Sequence, residues 1–440
     1  MGRRGMLATH RCLCRAGEFL LMRLRLLLFL VPVVVVLSSC SGGSGGGTIT
    51  PPPPQGNPAT VDFGATNQTI RGFGGSSAWI SNFSSGQADA LFGSGSGQLG
   101  LSILRVRIDP STDTGGAANW GTELHNAQLA STRGASVIAT PWTPPADMKT
   151  NNNTVGGALN SASYGAYANY LQSFVSYMAS GGVNLYAISI QNEPDASVTY
   201  ESCGWTGEQM DAWVAGNAAT LSTKLMMPES ESFTANLSDP ALNDASAVGH
   251  IAIVAGHIYG TSAAPYANAV SKGKELWMTE HYQTGTGISG ALALAREVHD
   301  SLTVANYNAY LWWWIENYTG GGYTSGLMDD SHTPTLNGYA LGQFSKFVRP
   351  GYVRVNATAN PQSGVYVSAY KGGGHFVIVA IHTGTAAVSQ PFSVQNGALT
   401  SVAPYQTSAT ASLAAQGAVA VSGSGFTYTL PGQSITTFVQ

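Results

Sequence analysis

Two glutamates close apolar, strand-like segments that lie far apart in the chain. The first segment, "YAISIQNEPDAS" at residues 186–197, ends its apolar alternation just before Glu193. The second, "ELWMTEHY" at residues 275–282, places Glu280 in the same position. Glycoside hydrolysis needs two carboxyl groups beside one sugar, the first protonated to assist the leaving oxygen and the second ionised. We therefore predict Glu193 as the acid/base and Glu280 as the nucleophile of such a pair.

A glutamate at a strand end is more often a solvated loop carboxylate or a helix cap, and that interpretation would suffice for either residue alone. Charged residues, however, make up only 10% of this chain, and aromatic residues stand near both glutamates. Two carboxylates in matching positions of such a chain favour catalysis over a purely structural role.

Polar neighbours of the two glutamates fit the same chemistry. Asn192 could hydrogen-bond the 2-hydroxyl of the sugar, where a retaining transition state gains stabilisation. Arg107 could orient Glu280 and keep it ionised, or it could belong to a structural ion pair. Tyr259 or His257 could donate a hydrogen bond to Glu280, or either could be a core residue whose polar atoms are satisfied elsewhere.

Aromatic side chains near the two glutamates offer flat faces on which a pyranose ring can stack. The candidates are Trp79, Trp142, Trp277, Trp313 and Tyr282. Some tryptophans must belong to the core, because the side chains of "WWWI" at residues 312–315 alternate between the two faces of a strand. We predict that Trp313 points inward and that Trp312 and Trp314 point outward.

Eight apolar segments that alternate with helix-like stretches must position these residues. They are "TIRGFGG", "LSILRVRID", "SVIATPWTPP", "LYAISIQNEP", "KLMMPES", "IAIVAGHIYG", "ELWMTEHY" and "AYLWWWIEN". Between the third and fourth, the apolar residues from Tyr164 to Met178 follow helical spacing, and Gly181 and Gly182 end the helix. Eight such units predict an α/β fold, a (β/α)₈ TIM barrel, over residues 59–346. Both glutamates then lie at the carboxyl ends of strands, where barrels of this kind hold their active sites.

The pattern changes after the barrel. Residues 347–440 contain runs of period two separated by turn residues, such as "GVYVSAYKG" and "HFVIVAIHTG". They predict a side-associated antiparallel β-sandwich. The segment "TVDFGATNQTI" at residues 60–70 could contribute a strand to that sandwich before the barrel begins. Aromatic residues of the sandwich alternate as core residues do, which favours a structural role over that of a carbohydrate-binding module.

The first 58 residues carry targeting and linker signals. Residues 1–40 include the apolar run "LLLFLVPVVVVL" and end in "LSSC", which is typical of a signal peptide with a lipobox-like end. Cys40 would then be lipidated and attach the protein to a membrane; the alternative is an ordinary cleaved signal with an incidental cysteine. Residues 41–58 form a Gly/Ser/Pro linker. We expect an extracytoplasmic protein, either a cell-surface or outer-membrane lipoprotein or a secreted enzyme.

Charge and cysteine content exclude several classes of partner. The 440-residue chain has a formal net charge of −4, and removal of residues 1–40, which hold six Arg and one Glu, changes it to −9. An acidic protein of this kind does not suit nucleic acid. Without that segment only Cys203 remains, so we expect no internal disulfide, and no zinc spacing is present. We expect no metal and no cofactor, and nothing in the chain requires more than a monomer.

The quoted motifs together resemble glycoside hydrolase family 30, in its bacterial (glucurono)xylanase subfamily. The similarity rests on "GFGGSSAWI", "LGLSILRVRIDP", "ATPWTPPADMKTN", "ISIQNEPD", "YESCGWTGEQM", "LWMTEHY" and "QFSKFVRPGYVRV", and it covers nearly the whole chain after residue 60. The resemblance implies a retaining hydrolase of clan A with Glu193 as acid/base and Glu280 as nucleophile. It also implies β-1,4-xylan or xylo-oligosaccharides as substrate and no metal cofactor.

One loop departs from the family. In the glucuronoxylanases of this subfamily, the loop after the eighth strand follows the pattern "WWYIRR.YG". An arginine of that loop pairs with the carboxylate of a methylglucuronic acid branch. Here the loop reads "WWWIENYTGGGYTSG", with Glu316 and Asn317 at the arginine positions, and no Lys or Arg occurs between Arg296 and Lys346. An acidic residue would repel a uronate. We therefore predict an endo-β-1,4-xylanase, or a xylobiose-releasing variant, that does not depend on the branch.

Several alternatives stay open at this stage. The enzyme could be a glucuronic-acid-dependent glucuronoxylanase after all, or a β-glucanase or other β-glycosidase of the same fold. A non-catalytic lipoprotein that captures xylan would keep the stacking aromatics but would need neither glutamate. Cleavage tests on a panel of substrates separate these possibilities.

Overall fold

Eight parallel strands close into a barrel in this computed structural model, which describes residues 56–111, 117–318 and 322–440. One strand, β1 (Ala59–Thr69), precedes the barrel in the chain. The barrel strands follow in chain order as β2 (Gly72–Ser76), β3 (Ile103–Ile108), β4 (Ser136–Pro141), β5 (Ala187–Ser189), β6 (Lys224–Ser230), β7 (Ile251–His257), β8 (Glu275–Glu280) and β9 (Ala309–Trp312). Each pairs with the next, and β9 pairs back to β2, so the predicted barrel is confirmed.

Helices occupy the connections between the barrel strands and follow the last one. They are α1 (Ser85–Phe92), α2 (Ala117–Ser131), α3 (Tyr164–Ser180), α4 (Gly207–Asn217), α5 (Asp239–Asn243), α6 (Ala267–Ser271), α7 (Gly287–Thr303) and α8 (Leu336–Ser345). In α3 the residues at helical spacing, among them Tyr167, Leu171 and Phe174, are fully buried. Gly181 ends this helix, as its sequence predicts.

Alternation along the barrel strands sorts their side chains into an interior set and a helix-facing set. In β3, Ile103 faces the interior, whereas Leu104 and Val106 pack beneath the helices. The interior apolar cluster comprises Ile103, Ile138, Ala187, Met226, Ile253, Ala255, Trp277, Ala309 and Leu311. Most of these residues lie in the first half of their strands, so the barrel is filled from its amino-terminal end. Polar residues remain for the carboxyl end.

The second domain is a ten-stranded sheet. Its strands are β1 together with β10 (Val353–Ala357), β11 (Val365–Gly372), β12 (His375–His382), β13 (Val388–Gln395), β14 (Ser401–Ser408), β15 (Ala411–Ala415), β16 (Val419–Ala420), β17 (Gly425–Leu430) and β18 (Ser434–Val439). The order is β15-β14-β18-β12-β11-β10-β1-β13-β17, with β16 paired to β14. Pairing is antiparallel except between β1 and β13, which run parallel.

The sheet curls so that its two halves face each other. Phe438 of β18 meets Phe392 of β13 and Phe426 of β17, each at 5.2 Å between ring centroids, although these strands are far apart in the sheet order. The fold class predicted from the sequence, a barrel with a β-sandwich, is therefore confirmed. The segment at residues 60–70 lies in the sheet as part of β1.

Helix α8 joins the barrel to the sheet. The side-chain amide of Gln343 donates to Thr407 at 2.8 Å, and the hydroxyl of Thr437 donates to the Gln343 carbonyl at 2.8 Å. The signal segment, Cys40 and most of the 41–58 linker lie outside the described residues. Within the described ranges, none of the helices combines the length and apolar character that crossing a bilayer requires.

Candidate active site

The two predicted glutamates meet at the carboxyl end of the barrel. Glu280 is the last residue of β8, and Glu193 follows β5 after a short turn. One carboxylate oxygen of each lies within 4.8 Å of the other and of a ring nitrogen of His257. Retaining glycosidases hold their two carboxyl groups about 5–5.5 Å apart, so this close spacing suits attack by one carboxylate on a sugar that the other protonates.

Backbone geometry gives Glu193 its place. Its φ angle is 44°, in the left-handed region that non-glycine residues avoid, and its N–H donates to the carbonyl of Glu229 at 2.9 Å. A strained backbone of this kind persists only where its surroundings hold it, and such positions cluster at functional sites.

Two donors hold the carboxylate of Glu280. The guanidinium of Arg105 donates to one oxygen at 2.6 Å, and the hydroxyl of Tyr259 donates to the other at 3.0 Å. Burial raises the pKa of Glu280, while the positive charges of His257 and Arg105 oppose that rise. Arg105 and Tyr259 both stabilise the ionised form, which is the form a nucleophile needs.

Glu193 has different partners. The ring Nδ1 of His257 lies 2.8 Å from one oxygen of Glu193, and the hydroxyl of Tyr200 donates to the other over 3.4 Å. Burial disfavours the charged imidazolium, but the negative charge of Glu280, the hydrogen bond to Glu193 and the nearby Glu229 outweigh burial and raise the pKa of His257 to about 9. His257 is therefore a charged donor at neutral pH.

A third carboxylate lies beneath this pair. Glu229 is fully buried, accepts a hydrogen bond from Thr140 at 2.8 Å, and lies 3.2 Å from the guanidinium of Arg105. Burial would raise its pKa, but the charge of Arg105 and the nearby imidazole of His257, whose Nε2 lies 3.9 Å away, outweigh burial and lower the pKa of Glu229 to about 2.

The cluster thus contains two cations, Arg105 and His257, and three carboxyl groups. One additional proton makes it neutral. Arg105 forms ion pairs with Glu280 and Glu229. Within the described residues Arg105 forms no ion pair with Glu193, so Glu193 is the carboxyl group of the three without an arginine partner.

The role expected of Arg107 belongs to Arg105. Arg107 pairs with Glu201 at 2.5 Å and with Asp109 at 2.8 Å, and so it forms a structural ion-pair network. Both arginines share the inward face of β3 with Ile103, because side chains alternate along a strand. Arg105 lies two residues deeper in the barrel, where it reaches Glu280. The orienting role considered for Arg107 is therefore wrong, and the alternative, a structural ion pair, is what the structure shows.

Other predicted neighbours of the carboxylates take distinct places. Tyr259 donates to Glu280 as expected, whereas His257 contacts Glu193 and stays 4.0 Å from Glu280. Asn192 is buried, and its side-chain oxygen accepts from Arg105 at 2.7 Å. This hydrogen bond fixes the amide orientation, so that the NH₂ group is the end left to donate.

A cleft of about 570 Å³ opens above the carboxylates. Its lining consists entirely of aromatic residues and glutamates: Trp79, Trp142, Glu193, Tyr200, Glu231, Tyr259, Glu280, Tyr282, Trp313, Trp314, Tyr318 and Tyr323. Trp79, Trp142, Trp313 and Tyr282 line the cleft where the sequence predicts stacking faces. Flat aromatic faces beside few polar groups suit the ring of an uncharged sugar.

Two tryptophans depart from the sequence expectation. Trp277 lies in the barrel interior, where it stacks on Tyr186 at 5.4 Å between ring centroids, so it offers no face to the cleft. Trp314 lines the cleft beside Trp313, although the expectation was that it points outward. The strand β9 ends at Trp312, and the alternation therefore stops before these two residues.

The loop residues Glu316 and Asn317 do not line the cleft. Glu316 is buried and accepts from the side chain of Gln87 at 3.0 Å, with His332 3.2 Å from the same oxygen. Asn317 accepts from the N–H of Gly326 at 2.9 Å. Both side chains anchor the loop instead of facing a substrate, so direct repulsion of a uronate by Glu316 does not follow from this position.

Sequence reasoning missed several residues of the site. They are Arg105, Glu229, Tyr200, Glu231, Trp314, Tyr318 and Tyr323. Strand alternation in "ILRVRI" was the available signal for Arg105, since it shares a face with Arg107. For Glu229 the available signal was its place near the end of the apolar, strand-like segment "KLMMPES". Tyr318 and Tyr323 gave none, because they reach the cleft through a loop.

Glu193, His257 and Glu280 bring three potential metal-ligand atoms within 4.8 Å of one another. A metal needs the lone pair of a neutral imidazole, whereas His257, with its pKa raised to about 9, holds a proton at neutral pH. Arg105 adds a further positive charge beside Glu280. The donor set therefore fits proton transfer better than metal binding.

Comparisons with known proteins agree with this site. Residues 120–277 match the Glycosyl hydrolase family 30 TIM-barrel domain. The chain is also 40% identical over 396 residues to glucuronoxylanase XynC of Bacillus subtilis (strain 168), a match covering 86% of this chain and 91% of that protein. The chain belongs to glycoside hydrolase family 30. The resemblance predicted from the motifs is confirmed.

Solved structures of family 30 xylanases are similar over the same region. The subfamily 8 xylanase Xyn30A of Clostridium acetobutylicum is 45% identical with a TM-score of 0.83, covering 87% of this chain and 99% of that one. The family 30 endoxylanase of Clostridium papyrosolvens C71 is 44% identical with a TM-score of 0.80 and the same coverage. This family 30 member is a glycoside hydrolase of the xylanase type.

Proposed function

We propose that the protein is an endo-β-1,4-xylanase that cleaves xylan with retention and does not depend on a methylglucuronic acid branch. The observation that carries the proposal is the cleft itself. Two carboxyl groups lie within 4.8 Å at its floor, and its described lining contains aromatics and glutamates but neither Lys nor Arg. Xylan has a neutral backbone, and this lining suits it.

In the first step the ionised carboxylate of Glu280 attacks the anomeric carbon of the xylose unit. The bond from that carbon to the leaving oxygen breaks, and its electron pair goes to the oxygen. Glu193 transfers its proton to this oxygen, which leaves as a hydroxyl group. The sugar is then bound to Glu280 as an ester, and Glu193 is ionised beside the charged His257.

In the second step a water molecule replaces the leaving group. Glu193 removes a proton from the water, and the water oxygen attacks the anomeric carbon from the side opposite Glu280. The ester bond breaks, Glu280 recovers its negative charge, and Glu193 is protonated again. Two inversions at one carbon give a product with retained configuration.

Independence of the branch is supported by the partners of the nearby cations. Arg107 lies over the ring of Trp79 at 4.9 Å from its centroid, but its charge is engaged by Glu201 and Asp109. Arg105 is buried beneath Glu280. A uronate entering the described cleft would meet glutamates and no free cation.

A glucuronoxylanase that requires the branch is the second candidate, because the relative from Bacillus subtilis bears that name. The deciding experiment is product analysis on linear xylo-oligosaccharides beside methylglucuronoxylan, with Glu280→Gln as an inactive control. We expect both substrates to be cut at comparable rates. Cleavage of the branched polymer alone would establish the second candidate. Cleavage of neither would contradict the xylanase proposal, and β-glucans would be the next substrates to test.

We also propose that the enzyme is extracytoplasmic and monomeric, and that it is attached to a membrane through lipidated Cys40. The support is the apolar run before "LSSC" and the Gly/Ser/Pro linker that follows. Mass spectrometry of the mature amino terminus, compared between the wild type and Cys40→Ser, tests the attachment. A mature terminus that lacks lipid on Cys40 would make the enzyme a secreted one.

A further inference from the structure

One carboxylate in the described cleft lining is not used by the proposed mechanism. Glu231 lies just after β6, and its backbone is fixed on both sides. Its N–H donates to Asp195 at 2.9 Å, and its carbonyl accepts from the N–H of Tyr259 at 3.1 Å. Asp195 is held in turn by the hydroxyl of Ser230 at 2.6 Å. The carboxyl group of Glu231 is therefore presented to the cleft from a defined place.

Glu231 lies on the side of the acid/base. Its N–H donates to Asp195, which stands two residues after Glu193 in the chain. Burial and the negative charges of Glu193 and Asp195 raise the pKa of Glu231, and the positive charge of His257 opposes that rise. An acid/base must face the leaving oxygen in order to protonate it. Glu231 consequently faces the part of the substrate that departs in the first step.

No described cation at the mouth of the barrel is free to offset this charge. Arg105 and Arg107 are paired with carboxylates, and the charged His257 lies 2.8 Å from Glu193. Lys149 is buried and donates to Thr143 at 2.8 Å and to the carbonyl of Ser202 at 2.6 Å. A cleft lined by one sign of charge with low-dielectric aromatic walls concentrates the field of that charge on its ligand.

We propose that Glu231 is a specificity-determining residue that disfavours carboxylate-bearing branches on the leaving-group side of the scissile bond. The inference rests on the proposed xylanase function and extends it to the charge of the substrate. Two like charges about 6 Å apart in a wet cleft repel each other enough to change a rate ratio about threefold. Neutral xylose units on the same side are unaffected.

The test uses the mature enzyme and two oligosaccharides of equal length, one linear and one carrying a single methylglucuronic acid. Mass spectrometry of the products gives the share of cuts that leave the branch on the departing fragment. For Glu231→Gln we expect this share, relative to other cuts, to rise about threefold at low ionic strength and less at high ionic strength, where salt screens the charge. Glu231→Lys should shift it further in the same direction.

The matched control is Glu208→Gln, which removes the same charge from an exposed position in the first turn of α4. It should leave the cleavage pattern unchanged. An unchanged pattern in both Glu231 variants, with the linear substrate still cut, would overturn the inference and leave the proposed function intact. If the wild type cuts neither oligosaccharide, the proposed function fails, and the inference fails with it.

Discussion

The guanidinium of Arg105 reaches Glu280 at 2.6 Å from a position with no solvent exposure. The same group lies 3.2 Å from Glu229 and donates to Asn192 at 2.7 Å, so one side chain fixes three others. Its planar fork suits this task, since separate N–H groups point to separate acceptors. The chemistry proposed for Glu280 depends on this buried fork.

We expect Arg105→Lys to lower kcat/KM on xylan by about 10²-fold, because an ammonium group keeps the charge but cannot bridge Glu280, Glu229 and Asn192 together. Steady-state kinetics on linear xylo-oligosaccharides measure the loss, and circular dichroism confirms folding. The matched control is Arg107→Lys, whose partners are Glu201 and Asp109. A greater loss in Arg107→Lys than in Arg105→Lys would return the positioning role to Arg107.

The hydroxyl of Tyr259 stabilises the ionised form of Glu280, so its removal should raise the pKa of that carboxyl group further. We expect Tyr259→Phe to lower kcat about tenfold or more and to move the acidic limb of the kcat/KM profile to higher pH. Tyr282→Phe is the control, because Tyr282 lines the same cleft, whereas Tyr259 is the tyrosine that donates to Glu280. An acidic limb that stays in place in Tyr259→Phe would show that this hydroxyl does not tune Glu280.

Strand patterns predicted most of the fold and the two glutamates, because the alternation of residues along a strand reflects which side chains are buried. Depth within the barrel was harder to infer. Arg105 and Arg107 share one face of β3, and only the closed barrel shows which of them contacts Glu280. Trp277 was misplaced for the same reason, since it lies on the inward face but near the amino-terminal end.

No sequence pattern predicted which loop residues line the cleft. Tyr318 and Tyr323 pair through two backbone hydrogen bonds of 3.1 and 3.2 Å, and this pairing places both rings in the cleft. Their rings pack on Trp314 at 4.6 and 4.4 Å between centroids. No periodicity encodes a contact that depends on where a loop folds back.

The buried place of Glu316 leads to a prediction about the loop after β9. Because Glu316 anchors this loop to Gln87 and His332, a larger cation there cannot be accommodated without displacing the anchor. We expect Glu316→Arg to lower Tm by several degrees and to create no preference for methylglucuronoxylan. Thermal unfolding and the substrate ratio measure the two effects.

The milder variant Glu316→Gln keeps the size of the side chain and should keep both Tm and the substrate ratio close to those of the wild type. A gain of preference for the branched polymer in Glu316→Arg, with Tm unchanged, would place this side chain in the cleft and contradict the anchoring role.

Glu123 of α2 should make the stability of the protein depend on pH, and it contacts the loop that carries Trp79. It is buried, and it accepts a hydrogen bond from the hydroxyl of Ser77 at 2.6 Å. Burial outweighs the hydrogen bond and raises the pKa of Glu123 from 4.5 to about 7. The folded protein therefore binds this proton more tightly than the unfolded chain. The stabilisation is complete below pH 4.5 and is lost as the pH rises through about 7.

We expect Glu123→Gln, which cannot ionise, to gain stability relative to the wild type as the pH rises, by up to about 3 kcal/mol near pH ~8. Denaturant unfolding of both proteins across the pH range measures the difference, and titrations that the two share cancel in it. Glu208→Gln, at an exposed position of α4, should show no such rise. A constant difference between Glu123→Gln and the wild type from acid to alkaline pH would mean that the pKa of Glu123 is the same in the folded and unfolded states, and that its hydrogen bond with Ser77 offsets the effect of burial.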